Sequence, residues 1–134
     1  MIVVDVNVIA YLLIDGEHTG DSEVLLAADP EWAAPLLWRS EWRNVLAGYL
    51  RRGELDRAGA LERIETAERL VRGREYLVDN ARVVDLVEAS TCSAYDCEYV
   101  ALAETLGVAL VTNDARVLAD FPERAMTPGR AAGR

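Results

Sequence analysis

Four acidic residues lie beside apolar segments of the sequence, and none is close in the chain to the other three. They are Asp5, Glu41, Asp96 and Asp114. A carboxylate surrounded by apolar side chains must be solvated, paired, protonated or bound to a cation. If folding brings the four together they repel one another, since two unit charges ~4 Å apart interact by roughly 4 kcal/mol at a surface-like dielectric. A hard divalent cation with oxygen ligands, typically Mg²⁺ or Mn²⁺, relieves that repulsion most simply.

Short apolar strands alternate with helices along the chain. Strands are predicted at Met1–Val4, Glu31–Ala34, Tyr76–Val78 and Ala109–Thr112. Helices are predicted from a cap at Asn7 to Leu13, and at Asp21–Ala28, Leu36–Arg52, Leu55–Val71, Asn80–Thr91, Ser93–Leu106 (stopped by Gly107) and Ala115–Ala119. Strands separated by helices predict an α/β fold, a three-layer α/β/α sandwich around a central, mainly parallel sheet.

The predicted sheet places the four acids at one edge. In an open parallel sheet, ligands bind beyond the carboxyl ends of the strands. Asp5 follows the first predicted strand and Asp114 follows the last, so both project from that edge. Asp96 lies in the first turn of a helix that begins there, and Glu41 lies in the second turn of the long helix, on an apolar face. We therefore expect one shared site.

Each acid also has an ordinary structural interpretation. The spacing of Ser93 and Asp96 fits a capping box, in which the acid reaches back to the start of its helix. Asp114 suits the cap of the short helix that follows it, and Asp5 suits a turn after its strand. Glu41 suits a surface ion pair with a neighbouring arginine. These interpretations explain the residues one at a time but not their common edge.

The length and composition fit a single domain. A chain of 134 residues with 51% hydrophobic content can build a core. We place the domain at residues 1–122 and expect a flexible tail over residues 123–134, where Arg, Gly, Ala and Pro dominate. The apolar stretch Val6–Leu13 is interrupted by Asn7 and follows Asp5, so it predicts neither a signal peptide nor a membrane anchor.

The cysteine and histidine content excludes several kinds of site. Cys92 and Cys97, with the single histidine His18, are too few for a zinc site or a disulfide scaffold. We expect both cysteines in the core, His18 exposed in a loop, and a cytoplasmic location. The three tryptophans are expected in the core rather than as platforms for stacking bases; they are Trp32, Trp38 and Trp42.

The charge and the absence of lysine limit the function further. A formal charge of −9 argues against diffuse nucleic-acid binding, so a nucleic-acid substrate would need a local basic patch. All 14 basic residues are arginine. This excludes P-loop, receiver and haloacid-dehalogenase-type sites, which need a lysine. Arg39 and Arg43 flank Glu41 one helical turn apart and are the candidates for binding substrate phosphates.

Four segments of the sequence resemble those of PIN-domain ribonucleases, of the type that serves as the toxin in bacterial VapBC toxin–antitoxin pairs. In the family's order, the segments are Val4–Asn7, Ser40–Leu46, Tyr95–Ala103 and Val111–Asp114. They span residues 4 to 114, which is most of the chain. The start of the chain with its acid and the Thr-Asn-Asp segment carry the most specific part of the resemblance.

The resemblance implies a metal-dependent endoribonuclease with a three-layer α/β fold. It maps the metal-binding acids of the family onto the same four acids, and it places Asn7 and Thr112 beside the metal, where they position ligands or water. RNA would be hydrolysed to leave a 5′-phosphate and a 3′-hydroxyl, with Mg²⁺ or Mn²⁺ lowering the pKa of a bound water.

The resemblance also implies partners. It implies a homodimer, and an antitoxin that lays a helix or extended segment across the helices Leu36–Arg52 and Leu55–Val71 and inserts a basic side chain among the acids. The chain departs from the family at Ala115–Phe121, which is longer than usual, so we expect Asp120 to be a surface acid. Two alternatives remain open: a non-catalytic PIN-like module that binds protein, and a housekeeping PIN nuclease without an antitoxin.

Overall fold

Five short strands form the centre of the molecule in the computed structural model, which describes residues 1–133. They are β1 (Ile2–Val4), β2 (Trp32–Pro35), β3 (Glu75–Tyr76), β4 (Leu110–Val111) and β5 (Ala125–Met126). All pair in parallel, in the order β3-β2-β1-β4-β5. The central position of β1 explains its apolar sequence, because a parallel strand covered on both faces buries every side chain.

Helices cover both faces of this sheet. They are α1 (Val6–Leu13), α2 (Thr19–Ala28), α3 (Trp38–Arg51), α4 (Arg57–Leu70), α5 (Asn80–Glu88), α6 (Ala94–Leu106), α7 (Ala115–Asp120) and α8 (Pro128–Ala131). Right-handed crossovers place α1 to α4 on one face and α5 to α7 on the other. The packing agrees, since α1 contacts α2, α3 and α4, whereas α5 packs on α6. The predicted three-layer α/β/α sandwich is confirmed. No helix within residues 1–133 has both the length and the apolar character needed to cross a membrane.

The three tryptophans and the two cysteines lie in the core as expected. Trp32, Trp38 and Trp42 are each at most 1% exposed, which leaves no ring free to stack on a base. Cys92 and Cys97 are buried and unpaired. Both predictions of core positions are therefore confirmed.

Most element boundaries lie within a few residues of the prediction, with two informative differences. Helix α1 is capped by Asp5 and not by Asn7, because the Asp5 side chain accepts from the backbone N–H groups of the first turn. Strand β3 ends at Tyr76, two residues earlier than expected, because its pairing with β2 covers only Glu75 and Tyr76. Leu77 is consequently 85% exposed.

The C-terminal segment differs most from the prediction. In place of a flexible tail, residues 123–133 contain strand β5 and helix α8. The backbone N–H of Leu110 donates to the carbonyl of Arg124, and that of Thr112 donates to Met126, each at 2.9 Å. Helix α8 packs on α2. A two-residue strand has no measurable periodicity, so composition alone indicated a tail. Arg134, the last residue of the predicted tail, lies outside the described residues.

Candidate active site

The candidate site lies between β1 and β4, where the order in which successive strands are added to the sheet reverses. From β1 the chain moves to β2 and β3 on one side, and it then crosses back to β4 on the other side. Ligands bind at such a switch point, beyond the carboxyl ends of the strands. Asp5 follows β1 directly, and its backbone N–H donates to the carbonyl of Val111 in β4 at 3.2 Å. Asp114 lies three residues beyond that strand.

Asp5 accepts hydrogen bonds from three donors, and its carboxyl is nevertheless harder to ionise than that of an ordinary aspartate. Its Oδ1 accepts from the backbone N–H groups of Asn7 at 2.9 Å and Val8 at 3.2 Å, and its Oδ2 accepts from the Thr112 hydroxyl. Burial raises the pKa of Asp5 to about 6, with a smaller contribution from the charge of Asp114. Such a carboxyl favours a proton or a cation beside it.

Thr112 connects the two strand ends. This side chain is 1% exposed, and its hydroxyl donates to Asp5 while accepting from the backbone N–H of Asp114 at 3.0 Å. Its own backbone N–H donates to Met126 in β5. Thr112 therefore links the Asp5 carboxylate to the backbone of Asp114.

Asp96 and Asp114 each lie at the start of a helix, as their capping interpretations require, and they also lie close to each other. Asp114 caps α7, because its Oδ1 accepts from the backbone N–H groups of Arg116 at 2.9 Å and Val117 at 3.0 Å. The backbone N–H of Asp96 donates to the Ser93 hydroxyl at 3.1 Å, which caps α6. Burial raises the pKa of Asp96, and the charge of Asp114 raises it further. Asp114 thus caps α7 with its carboxylate and also acts on Asp96, whose own helix is capped by Ser93.

Glu41 reaches the same edge from the opposite helical layer. It pairs with no arginine of residues 1–133; its Oε1 accepts from the Tyr99 hydroxyl at 2.6 Å. Burial raises the pKa of Glu41, and the charges of Asp5 and Asp96 add to the effect. Tyr99 was not among the predicted site residues. The signal that would have found it is its position three residues after Asp96, on the same face of α6.

Two of the four acids line a small cavity. Asp5, Asp96, Tyr99 and Thr112 line a space of about 10 Å³, room for about one water-sized particle. In the present arrangement, no group of three His, Cys, Asp or Glu side chains within residues 1–133 is set to hold a metal ion. The chemistry of the donors fits a hard cation all the same, because they are carboxylate and hydroxyl oxygens whose negative charges oppose one another.

The remaining predicted site residues lie around this edge. Asn7 is exposed in the first turn of α1. Arg39 donates to both oxygens of Glu75, at 2.6 and 2.8 Å, and to Glu68 at 3.1 Å, so it joins α3 to β3 and α4. Arg43 is exposed and makes a 3.4 Å hydrogen bond to Ser40. Of the two arginines, Arg43 is the more available for a substrate phosphate.

Asp120 has a structural role in addition to its surface position. Its Oδ2 accepts from the backbone N–H of Thr91 at 2.8 Å and from the hydroxyl of the same residue at 2.7 Å. These hydrogen bonds lower the pKa of Asp120. The residue joins the end of α7 to the turn between α5 and α6, and this helps to hold the first turn of α6, with Asp96, in place.

Comparison with known proteins agrees with this architecture. The sequence profile of the PIN domain matches residues 2–123. Ribonuclease VapC9 of Mycobacterium tuberculosis is 38% identical over 121 residues, which cover 87% of this chain and 88% of the relative. The crystal structure of PAE2754 from Pyrobaculum aerophilum has a TM-score of 0.76 at 21% identity, covering 99% of this chain and 97% of that one. A toxin–antitoxin complex from Klebsiella pneumoniae has a TM-score of 0.69 at 20% identity, covering 96% and 98%. The chain therefore belongs to the PIN domain family, as a VapC-like member.

Proposed function

We propose that this chain is a metal-dependent endoribonuclease that hydrolyses RNA phosphodiester bonds. The observation that carries the proposal is the convergence of four carboxylates at the switch point between β1 and β4. Burial and mutual repulsion raise the pKa of three of them, Asp5, Glu41 and Asp96. The similarity to a protein named as a ribonuclease, at 38% identity over most of both chains, supports the choice of RNA.

The proposed cofactor is Mg²⁺ or Mn²⁺, held by Asp5 and Asp96, with Asp114 and Glu41 completing the site directly or through water. When bound, such an ion supplies an acidified water and stabilises negative charge on a phosphate. The residues of the chain provide the geometry. Thr112 fixes Asp5 and the Asp114 backbone, and the α6 cap fixes Asp96. We assign to the exposed Asn7 the role of orienting water or substrate.

RNA binding needs local positive charge on a molecule of net charge −9. Arg43 is exposed near Glu41 on α3, whereas Arg39 would first have to leave Glu75 and Glu68. Arg116 was not predicted, but its charge opposes the rise in the pKa of Asp96, so it lies near the site. We assign phosphate contacts to Arg43 first, with Arg39 second, and add Arg116 as a further candidate.

A test of the proposed function compares matched acid-to-amide variants. We expect the purified protein to cleave RNA in the presence of Mn²⁺, and we expect EDTA to abolish this cleavage. Asp5→Asn and Asp96→Asn should each reduce the rate on the order of 100-fold, the scale of removing a transition-state stabilising group. Asp56→Asn is the control, because Asp56 also caps a helix, accepting from Gly59 at 2.7 Å, but belongs to α4 outside the site. Gel assays of product formation report the rates.

Two results would reject the proposal. Undiminished cleavage by both site variants would separate the activity from these acids. An unmodified protein that neither cleaves RNA nor binds Mn²⁺ in calorimetry would favour the alternative of a non-catalytic module that binds protein.

The proposed partners are an antitoxin and a second copy of the chain. A groove of about 250 Å³ lies between α3 and α4, with Leu50 and Leu61 exposed at its walls. An amphipathic helix or extended segment of an antitoxin suits it. One of the structural neighbours is a toxin–antitoxin complex. A small reading frame directly upstream in the source genome would distinguish a toxin from a housekeeping nuclease.

A homodimer has a separate apolar surface available. Leu36, Leu77 and Val84 are 43%, 85% and 54% exposed and line one shallow pocket beside Glu98. Clustered exposure of this kind is typical of surfaces that another protein covers. We propose a reducing cytoplasm as the location, because the two buried cysteines form no disulfide.

A further inference from the structure

Tyr99 joins the two helical layers above the edge of the sheet. It lies on α6 and is 3% exposed. Its hydroxyl donates to Oε1 of Glu41 at 2.6 Å, across 58 residues of sequence. Because Glu41 belongs to α3 on the opposite face, the hydrogen bond spans the carboxyl ends of the central strands. It therefore fixes the acid that comes from the other layer relative to those of α6 and β1.

The Glu41 carboxylate accepts from no other donor among residues 1–133. The groups that act on it electrostatically are acids, chiefly Asp5 and Asp96, and they repel it. Tyr99 lines the small cavity together with these two acids. Without the phenol, nothing in the described chain would hold the Glu41 carboxylate against that repulsion.

A purely structural explanation of the pair is incomplete. A buried tyrosine needs a hydrogen-bond partner for its hydroxyl, and a backbone carbonyl satisfies it without adding charge. Here the partner is a half-buried carboxylate beside two more carboxylates, an arrangement that costs stability. The cost is explained if the position of Glu41 serves the site.

We propose that Tyr99 is a positioning residue: its hydroxyl holds Oε1 of Glu41 and leaves Oε2 available to a divalent cation shared with Asp5 and Asp96. This inference rests on the proposed function, of which it names a further component. Carboxylates that bind metals are commonly held by a second hydrogen bond of this kind, and losing it typically costs about 10- to 100-fold in metal affinity or activity.

The experiment uses Tyr99→Phe, which removes only the hydroxyl. Tyr95→Phe is the matched control, because Tyr95 lies one turn earlier on α6 and is 63% exposed. Calorimetry measures Mn²⁺ affinity without RNA, and cleavage rates are measured against Mn²⁺ concentration. We expect Tyr99→Phe to weaken Mn²⁺ binding about 10-fold or more and to shift the Mn²⁺ requirement upward by the same factor. The control should match the unmodified protein.

A second pair of variants separates positioning from general packing. In a Glu41→Gln background, Tyr99→Phe should change Mn²⁺ affinity by less than about twofold, because the two residues act as one unit. Glu41→Gln alone should also weaken Mn²⁺ binding, and it leaves the packing of the Tyr99 ring unchanged. Circular dichroism and melting temperatures show whether each variant folds.

Three outcomes would overturn the role of Tyr99. They are unchanged Mn²⁺ affinity in Tyr99→Phe, an equal loss in both backgrounds, or unchanged Mn²⁺ affinity in Glu41→Gln. Each leaves the proposed nuclease intact if the unmodified protein still binds Mn²⁺ and cleaves RNA. If the unmodified protein does neither, the proposed function fails first and the role of Tyr99 fails with it.

Discussion

Asp5 carries opposing demands at the scale of a single residue. Its carboxylate caps α1 and accepts from Thr112, and both interactions favour the charged form. Burial acts more strongly in the other direction and raises its pKa to about 6. At neutral pH the folded protein therefore holds an ionised group in a poorly solvated position. Removing that charge should stabilise the fold, even as it removes a candidate ligand.

We expect Asp5→Asn to raise the stability of the metal-free protein at pH 8. Unfolded Asp5 loses its proton near pH 4 and the native group near pH 6, so the native state holds the extra proton between these values. Stability of the unmodified protein therefore falls as pH rises from about 4 to 6, by up to about 3 kcal/mol, and stays lower above that. Asparagine retains the helix cap. Urea denaturation at several pH values measures the difference.

The outcome is decided by the pH dependence. The stabilising effect of Asp5→Asn should be up to about 3 kcal/mol at pH 8 and should approach zero at pH 4. If the difference in stability between Asp5→Asn and the unmodified protein is the same at pH 8 as at pH 4, then burial does not dominate the pKa of Asp5.

Sequence patterns placed the four candidate acids at one edge of the sheet, whereas Thr112 was named only by the resemblance and Tyr99 was not named at all. Asp5 and Asp114 could be placed because they follow apolar strands, and strand direction determines where a strand ends. The contacts of Asp5 with Thr112 and of Glu41 with Tyr99 join residues 107 and 58 positions apart. No local spacing encodes such pairs. Arg39 shows the same limit, because its partner Glu75 is 36 positions away.

At the scale of elements, the long helices and four of the five strands were predictable, and strand β5 was not. The cap of α6 at Ser93 and its end at Gly107, whose φ is +68°, follow from local chemistry that the sequence displays. Strand β5 is two residues long and is defined only by its pairing with β4. That pairing depends on the assembled sheet, so the composition of the segment could not predict it.

We expect deletion of residues 123–134 to destabilise the protein. It removes two backbone hydrogen bonds at 2.9 Å, from Leu110 to Arg124 and from Thr112 to Met126, and it uncovers the edge of β4. At about 1 kcal/mol each, the loss is at least about 2 kcal/mol, before the packing of α8 on α2 is counted. Thermal melting measures it.

A shorter truncation provides the control for this deletion. Removing only residues 133–134 leaves β5 and α8 in place and should leave the melting temperature nearly unchanged. Because Met126 anchors the backbone of Thr112, the longer deletion should also reduce RNA cleavage. If both truncations melt like the full chain, the C-terminal segment contributes nothing to the fold.

The whole molecule combines a net charge of −9 with four converging acids. A ligand that binds only the native state stabilises it by an amount that grows with the logarithm of its concentration, about 2.7 kcal/mol at 100 times its dissociation constant. We expect Mn²⁺ to raise the melting temperature by several degrees. Scanning fluorimetry at constant ionic strength measures the shift.

The variants identify where this stabilisation arises. Asp96→Asn should lose most of the Mn²⁺ effect, and NaCl at matched ionic strength should not reproduce it. An equal shift in Asp96→Asn would place the ion elsewhere on the acidic surface, outside the site described above.

The position of β1 has a consequence for synthesis on the ribosome. Strand β1 occupies the middle of the sheet, and its neighbour β4 follows much later in the chain, at residues 110 and 111. Asp5 consequently has neither Thr112 nor Asp114 beside it until residue 114 has been translated. A nascent chain that stops short of that residue lacks the assembled carboxylates, so whatever reaction they perform begins only once β4 and its acid have joined β1.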